Sequence, residues 1–180
     1  MAKSELDLNK FIAVICEGGV EQAIIDILLD NDLLIFDRSD IIEERTLRCR
    51  GGHDFEKRYL GKSFESQISV IRILDSKNEN FRISKAYQHK VDVVNVITAP
   101  EIEMLIIINE GKYESFKRSH MKPSEYCKSI LKFSDVKSYD FINKYFSETE
   151  TLVIAIKEYT RKTKRGKGEY MLEDLLIDKQ

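Results

Sequence analysis

The strongest constraint on this chain is a set of three short, nearly continuous apolar runs set between segments of helical period. "FIAVIC" (11–16), "QISVIRIL" (67–74) and "VDVVNVIT" (91–98) are rich in Ile and Val. Runs this short and this apolar suit strands buried on both faces, as in a parallel sheet. Between them the period changes. Val20, Ile24, Ile27 and Leu28, with Ala23 beside them, recur at helical spacing up to "DND". "HDFEKRYLGKSF" reads as a helix and "FRISKAYQHK" as a shorter one, while "LLIF" or "IIEERTLRC" offers one more strand. After Pro100, Ile102, Leu105 and Ile106 fit a helix starting at Glu101. Strands alternating with helices predict an α/β fold, a mainly parallel sheet flanked by helices.

The last third differs in kind. "PSEYCKSILKF", "YDFINKYF" and "TLVIAIKEYTRK" all read as helical. The expected organisation is an α/β core over 1–130 and a helical C-terminal extension over 131–180, packed on the same domain. At 180 residues the chain is long enough for one proper core. A net charge of −2 excludes a global basic field, so any nucleic-acid surface must be local. Cys16, Cys49 and Cys127 form neither a disulfide framework nor a zinc pattern, which favours a reducing compartment. "MAKSELDLNK" lacks an apolar signal region and no apolar run approaches about 18 residues. A cytoplasmic, membrane-free protein is therefore expected.

In open α/β sheets, ligands sit beyond the carboxyl ends of the strands. Glu17 follows the first run, Asp75 the second, and Glu101 and Glu103 the third. Each has a bland explanation: a helix-dipole glutamate at Glu17, a turn aspartate at Asp75, a first-turn acid at Glu101. Together they predict a carboxylate cluster at one sheet edge, suited to a hard divalent cation such as Mg²⁺ or Mn²⁺. Gly18 and Gly19, just ahead of a helix N-terminus, would let a phosphate approach the backbone.

The stretch "VICEGGVEQAIIDILL" resembles the first motif of the Toprim (topoisomerase–primase) domain, a strand ending in Glu-Gly with a second Glu in the next helix. "ISVIRILDSKNENF" and "VITAPEIEMLIIINEGKY" resemble its later segments, and the likeness spans roughly residues 10–130. Within that superfamily the chain looks most like the compact branch of RloB-like and overcoming-lysogenization-defect nucleases. The resemblance implies a Mg²⁺-dependent phosphodiesterase acting on DNA or RNA, with a link to phage defence. It implies Glu17 as general acid/base or metal-linked glutamate and Asp75 as a metal ligand. Glu101 or Glu103 would complete the shell. Where the family usually has a second aspartate, this chain has Lys77, with Glu79 further along the loop. Lys77 favours the alternative, a catalytically silent module that binds nucleic acid or a protein partner.

Two basic tracts are candidates for the phosphate backbone. "KEYTRKTKRGKG" sets six Lys or Arg residues, among them Arg161, Lys162, Lys164, Arg165 and Lys167, against a single Glu. Tyr159 and Tyr170 flank it and can stack on unpaired bases. In "RTLRCRGGH", Arg45, Arg48 and Arg50 precede Gly51-Gly52. Glu110-Gly111-Lys112 matches the Glu-x-Lys of restriction-endonuclease cores, but its surroundings have helical rather than strand period. His53, His89 and His120 show no ligand spacing.

Overall fold

Alternation of strand-like and helix-like segments produces a single sheet with a helical layer on each side. The computed structural model describes residues 6–49, 51–61, 66–75, 80–166 and 168–177. Arg50, Lys77, Glu79 and Lys167 lie outside these described residues. Strands β1 (Phe11–Cys16), β2 (Ile68–Leu74) and β3 (Val91–Ile97) pair in parallel in the order β1-β2-β3. The register puts Ile15, Arg72 and Asn95 in one row across the sheet.

Strand alternation sorts the side chains into two layers. Ile12, Val14, Cys16, Ile71, Ile73, Val94 and Val96 join the larger core, while Ala13, Ile15, Ile68, Val70 and Val91 join the smaller one. Helices α1 (Gly19–Asp30), α3 (Met104–Asn109), α4 (Tyr113–Ser119), α5 (Pro123–Ser129), α6 (Tyr139–Tyr145) and α7 (Thr149–Lys162) cover the larger core. Within it α6 packs on α1, and α7 packs on α3. The helices after residue 130 therefore share their core with the first helix of the chain. Leu152, Ala155, Ile156 and Tyr159 of α7 are buried in it.

The smaller layer is helix α2 (Gly52–Phe55), which runs on into a π turn at Glu56–Leu60, together with Phe81, Ile83 and Tyr87. Gly52 is required here by space. A Cβ at that position would stand 2.1 Å from the Arg82 carbonyl oxygen.

Three local expectations are corrected. Neither "LLIF" nor "IIEERTLRC" forms a strand, because 3₁₀ turns at Arg38–Asp40 and Ile42–Glu44, with Glu43 and Glu44 at positive φ, break the extended run. What remains is a ragged border on β1: Leu47 N–H donates to Val14 O (2.7 Å) and Cys16 N–H to Leu47 O (3.1 Å). Tyr170 borders β3 in the same way, its oxygen accepting from Ile97 N–H at 2.8 Å. Both sheet edges are thus partly covered, β3 only near its C-terminal end. Helix α3 begins at Met104 rather than Glu101, since residues 101–106 first make tighter i→i+3 bonds. Most of "FRISKAYQHK" is irregular, ending in a 3₁₀ turn at Gln88–Lys90. Among the described residues no helix is long and apolar enough to cross a membrane.

Candidate functional site

Parallel pairing sends all three strand ends to one edge, and the acidic residues arrive there by different routes. Asp75 directly follows β2 and is half-buried. Glu101 and Glu103 come after the cis Ala99–Pro100 peptide, in the turn that leads into α3. Glu21 sits in the first turn of α1 and is only 7% exposed. Its carboxylate bends back to accept from the backbone N–H groups of Gly18 and Glu21 itself, half of a capping box. Gly18 makes room for it, since a Cβ there would lie 2.8 Å from Glu21 Oε2. The start of α1 therefore already holds an anion, the protein's own.

These carboxylates are electrostatically coupled. Burial raises the Glu21 pKa, with Asp75 adding to the rise and Lys137 opposing it. Burial pushes Glu103 up to about 7, again against Lys137, with Glu101 and Glu21 contributing. The coupling runs Asp75–Glu21–Glu103–Glu101. Lys137 Nζ lies 3.9 Å from both Glu101 Oε1 and Glu103 Oε1. It is carried there by the segment before α6, which packs on α1. Glu101 is not the first-turn acid of its own helix. Its Oε2 accepts from Ser124 N–H at 2.7 Å and so caps α5.

Glu17 stands at the joint of β1 and α1, exposed. It lines a cleft of about 930 Å³ together with Arg48, Arg58 and Arg72. The site thus has two sides, a buried carboxylate chain and a cleft that carries arginines, with Glu17 on the cleft. Cys16 beside it is buried, and burial lifts its thiol well above the ordinary value, so it packs rather than reacts.

The donor set is carboxylate oxygen throughout, the chemistry a hard divalent cation prefers. Among the described residues, no group of three or more His, Cys, Asp or Glu side chains is arranged to hold a metal ion.

The basic tract at the end of α7 is partly neutralised. Arg161 pairs with Glu158 at 3.1 Å, Lys162 with the same glutamate at 3.9 Å, and Arg165 with the buried Asp174 carboxylate. Lys162 also lies over the Tyr113 ring at 4.8 Å. Exposed pairs of this kind are worth about 0–1 kcal/mol and compete weakly with a phosphate. Arg165, held by a carboxylate only 3% exposed, is the more committed. Glu110 and Lys112 fall in the turn after α3, not on a strand, and Tyr145 O–H donates to Glu110 Oε1 at 2.7 Å.

Three residues of this region lie outside the site residues expected from the sequence. Glu21 carries a signal, since it lies four residues after Glu17 in the first motif. Arg72 carries another, a lone charge inside the apolar run "ISVIRIL". Lys137 carries none, because only the packing of α6 on α1 brings it in. No protein-family model, no curated protein and no solved structure matches the chain.

Proposed function

We propose that this chain is a Toprim-like phosphodiesterase that cleaves nucleic acid, DNA or RNA, with Mg²⁺ or Mn²⁺, in keeping with a role in phage defence. The observation that carries this is the coupled chain of Asp75, Glu21, Glu103 and Glu101 at the carboxyl edge of a parallel sheet. Burial first, and the neighbouring carboxylates after it, raise the proton affinities of Glu21 and Glu103, a cost that a bound cation would offset.

Asp75, with Glu103 or Glu101, would hold the ion, and Glu21 would join them by leaving its cap. When bound, the ion would lower the pKa of a coordinated water and stabilise charge on the phosphoryl oxygens. Glu17, exposed beside the cleft, would take the proton of the attacking water. Glu103 would give up its proton on ligation, so divalent-ion affinity should fall below about pH 7.

The test is cleavage of single- and double-stranded DNA and RNA by wild type, Glu17→Gln and Asp75→Asn, each with and without Mg²⁺ or Mn²⁺. The expected result is metal-dependent cleavage by wild type. Glu17→Gln should lose at least about 10²-fold in rate, the usual scale of a general base, and keep its melting temperature. Cleavage that survives Glu17→Gln refutes the assignment.

A silent nucleic-acid-binding module is the alternative, and one observation favours it. Lys137 already sits against Glu101 and Glu103 as an internal cation. Binding without cleavage on every substrate would support that alternative, and Lys137→Ala should then increase Mn²⁺ affinity.

A further inference from the structure

The second face of the sheet holds a site that the carboxylate chain does not explain. Arg72 lies on the central strand, between Ile15 and Asn95 in the row. It is only 2% exposed. Taking a guanidinium out of water is costly, and a sheet interior accepts one only where its contacts orient it. Arg72 Nη1 donates to Asn95 Oδ1 at 3.3 Å, and the guanidinium lies 4.8 Å from the Phe81 ring centroid. Two further arginines reach the same cleft from other elements. Arg48 comes from the border segment along β1, close enough to Cys16 to favour its thiolate. Arg58 comes from the π turn after α2, where its Nε bonds Asp54 Oδ1 at 3.2 Å. Cys49 Sγ donates to the other oxygen of Asp54 at 3.4 Å.

We infer that this cleft is a phosphate site, formed by Arg48, Arg58 and Arg72, that seats a phosphate of a nucleic-acid strand beside Glu17. This rests on the proposal that the chain acts on nucleic acid. Three arginines from three separate elements converge on one cavity, and their planar forks match phosphate oxygens. At about 930 Å³ the cleft has room for a nucleotide. Glu17 lines the same cavity, so a phosphate held by the arginines would lie next to the candidate base. The tract after α7 would then serve as a secondary contact, its Arg161 and Lys162 paired with Glu158 and its Arg165 with the buried Asp174.

Binding is measured in EDTA, so that its outcome is independent of cleavage. The probes are one single-stranded oligonucleotide with a 5′-phosphate and the same strand with a 5′-hydroxyl. The variants are the exposed pair Arg48→Ala/Arg58→Ala and, separately, Arg72→Lys, which keeps the charge but loses the fork. The paired variant should weaken affinity at least about tenfold and flatten the slope of log K against log salt by about 0.7, one phosphate contact on a single strand. Arg72→Lys should fall between the pair and wild type. Preference for the 5′-phosphate identifies a strand end as the ligand, and equal binding identifies an internal phosphodiester. Wild-type affinity and slope in the folded paired variant overturn the site, as does a wild type that binds neither probe. Arginine-dependent binding without cleavage under Mg²⁺ keeps the site and sinks the nuclease. Cleavage that ignores the arginines does the reverse.

Discussion

Glu103 is the residue whose environment departs furthest from what its neighbours in sequence suggest. It follows a proline turn and precedes a helix, where an exposed acid is ordinary, yet it is 4% exposed. A carboxyl whose folded pKa exceeds its unfolded value holds its proton more tightly in the folded state. Its contribution to stability is full below the unfolded value of 4.5 and is lost as pH rises to about 7. The melting temperature should therefore fall between pH 5 and pH 8 on account of Glu103. Glu103→Gln keeps the shape without the charge, so it should flatten that fall and be the more stable protein at pH 8. The shift bounds the effect at about 3 kcal/mol. A calorimetric pH series on the two proteins decides it, and parallel curves would refute the buried, coupled glutamate. Glu21 and Gly18 show the same logic on a smaller scale: the glycine gives space to the glutamate's cap, so the pair works as a unit.

At the scale of elements, the decisive contact is α2 against the segment before Gln88. Gly52 meets the Arg82 carbonyl backbone to backbone, so no side chain can yield to an added methyl. Gly52→Ala should destabilise by about 1–3 kcal/mol, the usual range for overpacking. Gly51→Ala meets nothing within 4 Å and should change little. Denaturant melts of both variants test this, and equal midpoints would show that α2 is not seated there. Strands β1 and β2 were legible in the sequence because burial on both faces leaves a nearly continuous apolar run, and β3 because its valines recur although Asp92, Val93 and Asn95 are exposed. Helices α5, α6 and α7 were legible because each keeps one apolar face, and α1 because Val20, Ala23, Ile24, Ile27 and Leu28 recur at helical spacing although it is buried on more than that face. The stretch 33–49 was not legible. Its Ile and Leu residues look like a strand, but Glu43 and Glu44 take positive φ and only Ile41 and Leu47 bridge to β1. Composition carries no sign of that break.

For the whole molecule, the question is whether residues after 130 form an appendage. Their buried side chains say otherwise, since α6 closes over α1 and α7 over α3 in one cluster. A fragment ending at Ile130 would expose that face of α1 and α3, so it should show no cooperative unfolding transition. Within the intact chain, Ile156→Ala should cost about 2–5 kcal/mol, as expected for truncation of a fully buried side chain. A fragment that melts cooperatively like the full chain would make residues 131–180 a separate unit and refute their packing on the same domain.

The sequence alone determined the parallel α/β layout and the delivery of Glu17, Asp75, Glu101 and Glu103 to strand ends, because periodicity and burial are local properties of the chain. It also displayed the basic tract after α7, as a run of like charges. What the tertiary structure alone decided was company. Lys137 joined the carboxylates from the turn before α6, Asp174 and Glu158 engaged the basic tract, and Arg72 met Arg48 and Arg58 across a cleft. Charges act through space, and the distances that govern them are set only when the layers pack.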